Sequence, residues 1–147
     1  MRKIYLLFIL FFIAYSSHAQ YNKKLADSLG ADQYGMKPYV LVILKTGKTE
    51  ITDKAKLDTI FRGHMANIGR LASEGKLVVA GPLGKNDKAY RGIFIFNVKT
   101  IEEAKALVQT DPVIQSGVME AELYPWYGSA ALPMYLKVHE QIEQKNP

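Results

Sequence analysis

The chain has 147 residues, with 19 Lys+Arg against 14 Asp+Glu, three histidines and no cysteine. Without cysteine there is no disulfide, thiolate nucleophile or thiolate metal site, so a hydrophobic core must hold the fold. The basic residues are scattered among acidic ones, with no basic run carrying interspersed aromatics, and nucleic-acid binding has no support.

The amino terminus reads as an export signal. Arg2 and Lys3 precede the apolar run Ile4 to Ile13, and Ser17-His18-Ala19 places small residues where a signal peptidase reads. The apolar stretch Ile4 to Tyr15 covers 12 residues, well short of the roughly 20 that a membrane-crossing helix needs. Residues 1–19 are therefore expected to be a cleaved signal peptide, giving a periplasmic or extracellular protein with no membrane attachment after cleavage. A lipoprotein anchor would need a cysteine at the cleavage point. Residues 20–147 carry 17 basic and 14 acidic side chains, a net charge of +3, and their length fits one domain.

Residues 20–37 form a polar lead-in with one helical turn expected around Lys24 to Leu29. Tyr39 to Leu44 is β-branched and apolar, follows Pro38 and stops near Gly47, which predicts a buried strand. Thr52 to Glu74 is the longest helical pattern: Thr52 is placed to cap it, Leu57, Ile60, Phe61, Met65, Ile68, Leu71 and Ala72 recur at helical spacing, and Gly75 ends it. Lys76 to Ala80 predicts a second strand closed by Gly81-Pro82, and Tyr90 to Val98 a third after the loop Leu83 to Ala89. Thr100 and Glu103 make a capping box, opening a helix that stops by Asp111-Pro112. Met119 to Trp126 alternates as a fourth strand, and Leu132 to Lys145 is placed for a terminal helix.

This order is the split βαβ arrangement of an α+β, ferredoxin-like fold: a four-stranded antiparallel sheet with two helices on one face. The first strand is apolar on both faces, so the second face also needs cover. A second copy of the chain is the economical answer, and a homodimer is expected.

Few residues can carry chemistry. His139 lies among Lys137, Glu140 and Gln141 and reads as solvated. His64 falls on the apolar stripe, four residues from both Ile60 and Ile68. Gly63 and Gly69 each cost that helix roughly 1 kcal/mol relative to alanine, so another backbone or a cavity is expected close by. A buried histidine bonded to a carbonyl, with glycines that only ease packing, explains the same pattern. Asp111 is placed to cap a short turn, Pro112 to Ser116, ended by Gly117. It is alternatively the carboxylate that orients the His64 ring. Arg91 and Trp126 are candidate ligand-binding residues, and equally candidate strand-end residues. No His/Asp/Glu cluster has metal-ligand spacing, and no cofactor motif is present.

Gly63-His64-Met65-Ala66-Asn67-Ile68-Gly69-Arg70-Leu71-Ala72-Ser73-Glu74-Gly75-Lys76-Leu77, followed by Ala80-Gly81-Pro82, resembles the central motif of YCII-related proteins. Asp111-Pro112, Gly117 and Pro125-Trp126 resemble their second motif. The resemblance runs over residues 38–127, leaving a lead-in at 20–37 and a tail at 128–147 outside it. It implies a dimeric α/β barrel of two ferredoxin-like sheets packed face to face, with a functional His–Asp pair that carries onto His64 and Asp111. One branch of the family resembles dehydrochlorinases acting on chlorinated hydroxyquinols, and relatives of the fold include muconolactone isomerases and small monooxygenases. Export, the lead-in and the tail set this chain apart from the family pattern.

Two readings follow. In one the chain is a cofactor-free enzyme in which His64, oriented by Asp111, acts as general acid or base in an elimination or isomerisation of a small cyclic or aromatic molecule. In the other it is a non-catalytic ligand-binding or structural dimer. The small-molecule ligand itself is not legible.

Overall fold

The computed structural model describes residues 21–145. The signal segment read at residues 1–19 lies outside the described residues. A helix α1 (Lys23–Leu29) in the lead-in precedes strand β1 (Met36–Thr46), helix α2 (Lys54–Ser73), strands β2 (Leu77–Pro82) and β3 (Tyr90–Phe96), helix α3 (Ile101–Val108), the single turn α4 (Pro112–Gln115) and strand β4 (Met119–Ser129). A 3-10 turn, Leu132–Tyr135, and helix α5 (Leu136–Ile142) follow. The strands lie in the order β2-β3-β1-β4, all antiparallel, which is the ferredoxin-like topology.

Local chemistry explains the helix ends. The cap of α2 is Asp53, one residue later than expected at Thr52; its carboxylate accepts the Lys56 N–H at 3.2 Å. A carboxylate there also meets the positive end of the helix dipole, which a threonine hydroxyl cannot match. Gly75 takes the left-handed conformation just past the helix, with φ 67°, as expected for its role. The capping box of α3 forms in full: Thr100 Oγ1 accepts from the Glu103 N–H, and Glu103 accepts from the Thr100 and Lys99 N–H groups. Those backbone donors hold the Glu103 carboxyl below its ordinary range.

The strand period of two sorts the core into two layers. Val40, Val42 and Leu44 of β1 stand opposite Phe96, Phe94 and Gly92 of β3 and opposite Pro125, Leu123 and Ala121 of β4. Most of this layer packs with Leu71 of α2 and Ala104 and Val108 of α3 into the main core. Burying each of its larger side chains contributes about 1.5–3 kcal/mol. The second layer holds Tyr39, Val78 and Ile95, with Trp126 and Leu132 against them. The second face is therefore partly covered by the chain's own tail, pinned where Tyr135 Oη donates to the Val78 carbonyl. Leu41, Ile43 and Ile93 on the same face are only half-buried, and Tyr124 is exposed.

The two glycines of α2 differ in kind. A Cβ at Gly63 would come within 2.9 Å of Pro112 Cγ, whereas a Cβ at Gly69 would meet nothing within 4 Å. The close approach expected near His64 is therefore Pro112, and Gly69 is unrelated to it. Replacing Gly69 by alanine should raise stability by roughly 1 kcal/mol through helix propensity alone. The same change at Gly63 should lose that gain and more, because the proline ring cannot swing aside. Chemical denaturation of the two variants checks the opposite signs.

Candidate functional site

His64 sits two turns before the end of the buried face of α2, and the residue is 8% exposed. Phe61, three residues earlier, stands edge-on to it with centroids 6.2 Å apart at 87°. Phe94 of β3 lies beneath it at 6.0 Å. The imidazole is thus clamped between an aromatic of its own helix and one of the sheet.

Asp111 meets it from the turn between α3 and α4. Pro112 disfavours the helical conformation at the residue before it, and Asp111 is extended there as cap of α4. Its carboxylate is 1% exposed. Oδ1 accepts the Val113 N–H at 3.1 Å, and both oxygens face His64 Nδ1, at 3.0 Å for Oδ1 and 2.8 Å for Oδ2. The cap role and the histidine-orienting role, weighed as alternatives from the sequence, are held by one side chain.

An ionised carboxylate only accepts, so Nδ1 carries the proton and donates it, which leaves Nε2 of a neutral ring as a lone-pair nitrogen. Among the described residues Nε2 bonds to no protein group. Among the described residues every fully buried side-chain nitrogen or oxygen has a partner, so the unbonded Nε2 is not fully buried. An open groove of about 650 Å³ along α2 is lined by Asp58, Phe61, Arg62 and Met65. Phe61 is shared between this groove and the His64 clamp.

Arg91 and Trp126 are not gathered at this pair. Arg91 Nε donates to Thr46 Oγ1 at 2.6 Å, at the far end of β1. Trp126 stands opposite Tyr39, its ring 5.5 Å away, on the face of the sheet turned from the helices. The sheet itself separates it from His64. On that second face Lys45 and Glu122 form an ion pair at 2.6 Å, and Tyr124 Oη donates to Glu122 at 3.0 Å. The bond from Lys45 holds the Glu122 carboxyl below its usual range, and the same contact raises the Lys45 ammonium. His139 is exposed, 3.6 Å from Glu143. Among the described residues no group of three or more His, Asp or Glu side chains is placed to hold a metal ion.

Sequence reasoning missed Asn67, Arg70 and Thr110. Arg70 Nη2 donates to Asn67 Oδ1 at 2.7 Å and to Thr110 Oγ1 at 3.0 Å, joining α2 to the turn beside Asp111. One signal was available: Asn67 is a polar residue one turn after His64, on the same buried face.

A ferredoxin-like domain with a histidine and an aspartate paired beneath its helices is the class that fold and site define. The YCII-related domain model matches residues 38–127, and the chain belongs to that family. No curated protein matches it. Among solved structures the chain is similar to the 5-chloro-2-hydroxyhydroquinone dehydrochlorinase (TftG) of Burkholderia phenoliruptrix, in complex with 2,5-dihydroxybenzoquinone. That match has 21% identity, a TM-score of 0.42, and covers 59% of this chain and 92% of the other.

Asp111→Asn tests the tautomer. The Val113 N–H needs an acceptor, so the amide oxygen should keep that bond and turn the NH₂ group towards His64. Nδ1 must then accept, and the ring proton moves to Nε2. Long-range ¹⁵N–¹H spectra should show Nδ1 protonated in the native protein and Nε2 protonated in the variant. Asp111→Ala should in addition lose the cap, about 1 kcal/mol, and a further 1–3 kcal/mol for the unpaired buried nitrogen, roughly.

Proposed function

We propose that the chain is a cofactor-free acid–base enzyme acting on a small cyclic or aromatic molecule. The observation that carries this reading is the asymmetry of the His64 ring: Nδ1 is held by both Asp111 oxygens at 2.8 and 3.0 Å, while Nε2 has no protein partner among the described residues. In this reading Nε2 takes a proton from a substrate carbon. The C–H electron pair then either forms a double bond as a leaving group departs from the adjacent carbon with its own pair, or shifts so that the proton is returned at another carbon. The first outcome is an elimination and the second an isomerisation. Asp111 stays ionised throughout, and its carboxylate stabilises the imidazolium through the Nδ1–H bond. In this reading the substrate would approach the ring past Phe61, which also lines the groove along α2.

A second reading, a non-catalytic binding module, draws on the low exposure of His64, 8%. The two separate on proton exchange. Small cyclic, aromatic and lactone compounds would be incubated with the protein in D₂O and followed by NMR. Deuterium incorporation or conversion that falls roughly 10²–10⁴-fold in His64→Gln is the expected result. A compound that binds without exchange, equally well to the variant, would favour the binding module.

We further propose that the protein is exported and works as a homodimer. The layout of residues 1–19 supports export. The half-buried Leu41, Ile43 and Ile93 support pairing, since a second copy would complete their burial. Protein recovered from the periplasm or medium should begin at Gln20 by mass and sediment as a dimer. Ile43→Lys should sediment as a monomer. An uncleaved chain, or a native monomer, would overturn the corresponding half of this proposal.

A further inference from the structure

The His64–Asp111 pair is not held by its own bond alone. One helical turn further along α2, Asn67 is 8% exposed, and its Oδ1 receives Arg70 Nη2 at 2.7 Å and lies 3.0 Å from Thr110 Oγ1. Arg70 Nη2 also donates to Thr110 Oγ1 at 3.0 Å. Thr110 Oγ1 has one hydrogen, and its shortest acceptor is the Leu107 carbonyl at 2.7 Å, in the last turn of α3. Thr110 therefore donates to α3 and accepts from α2, so it ties the two helices together at the residue adjacent to Asp111. Arg70 is itself steadied by Nη1 donating to Glu74 at 2.8 Å.

The geometry makes this network a latch on the orienting carboxylate, and we infer that Thr110, with Asn67 and Arg70, sets the direction from which Asp111 meets His64. Thr110 and Asp111 are consecutive, and their contacts on α2 are one turn apart, so the turn between α3 and α4 is gripped at two successive residues. Pro112 against Gly63 is the third grip, 2.9 Å from where a Cβ would stand. Proline and glycine resist only closer approach. They do not stop the turn from swinging away, and that movement is what a hydrogen-bonded latch prevents. Thr110, Asn67 and Arg70 are positioning residues: each acts through Asp111 on the His64 ring.

This inference rests on the same pair as the proposed activity, but its test does not depend on turnover. The readout is the His64 Nδ1–H proton in the full mature protein: its low-field chemical shift and its exchange with water. Thr110→Val keeps the shape and the methyl group and removes the hydroxyl. It should speed exchange roughly five- to tenfold, the weight of one lost hydrogen bond, and move the resonance upfield. Thr110→Ser restores the hydroxyl and should restore both values. Arg70→Gln should reproduce the valine effect without touching the turn itself, which covers the case in which the valine variant folds poorly. Lys105→Gln, on α3 but outside the network, should change neither value. If Thr110→Val and Arg70→Gln fold and leave the proton within twofold of its native exchange rate, the latch is refuted. The same holds if serine fails to rescue. A latch seen in these spectra in a protein that shows no proton exchange on any substrate would refute the enzyme reading and leave this one standing.

Discussion

The close approach of Pro112 to residue 63 is the constraint on which the site depends. Helix α2 lies against the turn between α3 and α4 at a distance that admits no side chain at position 63. That distance brings the Asp111 carboxylate within hydrogen-bonding range of a histidine one residue further along the helix. With alanine at 63 the two elements would have to separate by a few tenths of an ångström or more, and the shift would be taken up first by the bonds that depend most steeply on distance. The glycine costs helix propensity, roughly 1 kcal/mol, and the contact it permits outweighs that loss locally.

The sheet below turns this contact into a cavity wall. Phe94 is fixed by its pairing with Val42 in the centre of β1, and its ring forms the floor under His64. Phe96, two residues on, lies on the same face and packs against it at 5.7 Å. The aromatic floor is thus continuous with the main core, so its position is set by the packing of the domain as a whole and not by a mobile loop.

Much of this was legible in the residues and some of it was not. The strands and helices followed from apolar periodicity, and the capping box and Gly75 end fell where their chemistry requires. His64 was marked by its place on an apolar stripe, and Asp111 by the proline after it. Their meeting is a contact between residues 47 apart in sequence, and no local pattern encodes such a distance. The two glycines looked equivalent in sequence, yet only Gly63 faces a neighbour, because six residues turn the helix by about 600°, leaving Gly69 roughly 120° away around the axis. Trp126 read equally as a ligand-binding residue and as a strand-end residue. Its placement beside Tyr39, beyond the sheet from His64, follows from the register of β4 on β1, which the sequence alone does not specify. The tail's cover of Val78 and Ile95 was likewise invisible, since Leu132 and Tyr135 have no periodic partner to announce them.

The composition of the pair bears on what it is for. Taking a carboxylate and an imidazole out of water costs more than their attraction often returns, and apolar side chains of similar volume commonly hold a core as well or better. A leucine and a valine would seal the space between α2 and the α4 turn with no desolvation cost. They would not hold an imidazole between Phe61 and Phe94 with its Nδ1 against a carboxylate that also takes a backbone N–H. Asp111 takes part in that arrangement through two separate bonds, to Val113 and to His64. The first orients the carboxylate independently of the second, so two bonds and not one set the direction in which it faces the ring. Rigidity of this kind adds little to folding stability over an apolar pair. It is what the proposed proton transfer at Nε2 would require, because a base that must reorganise as it takes the proton loses part of its advantage over water.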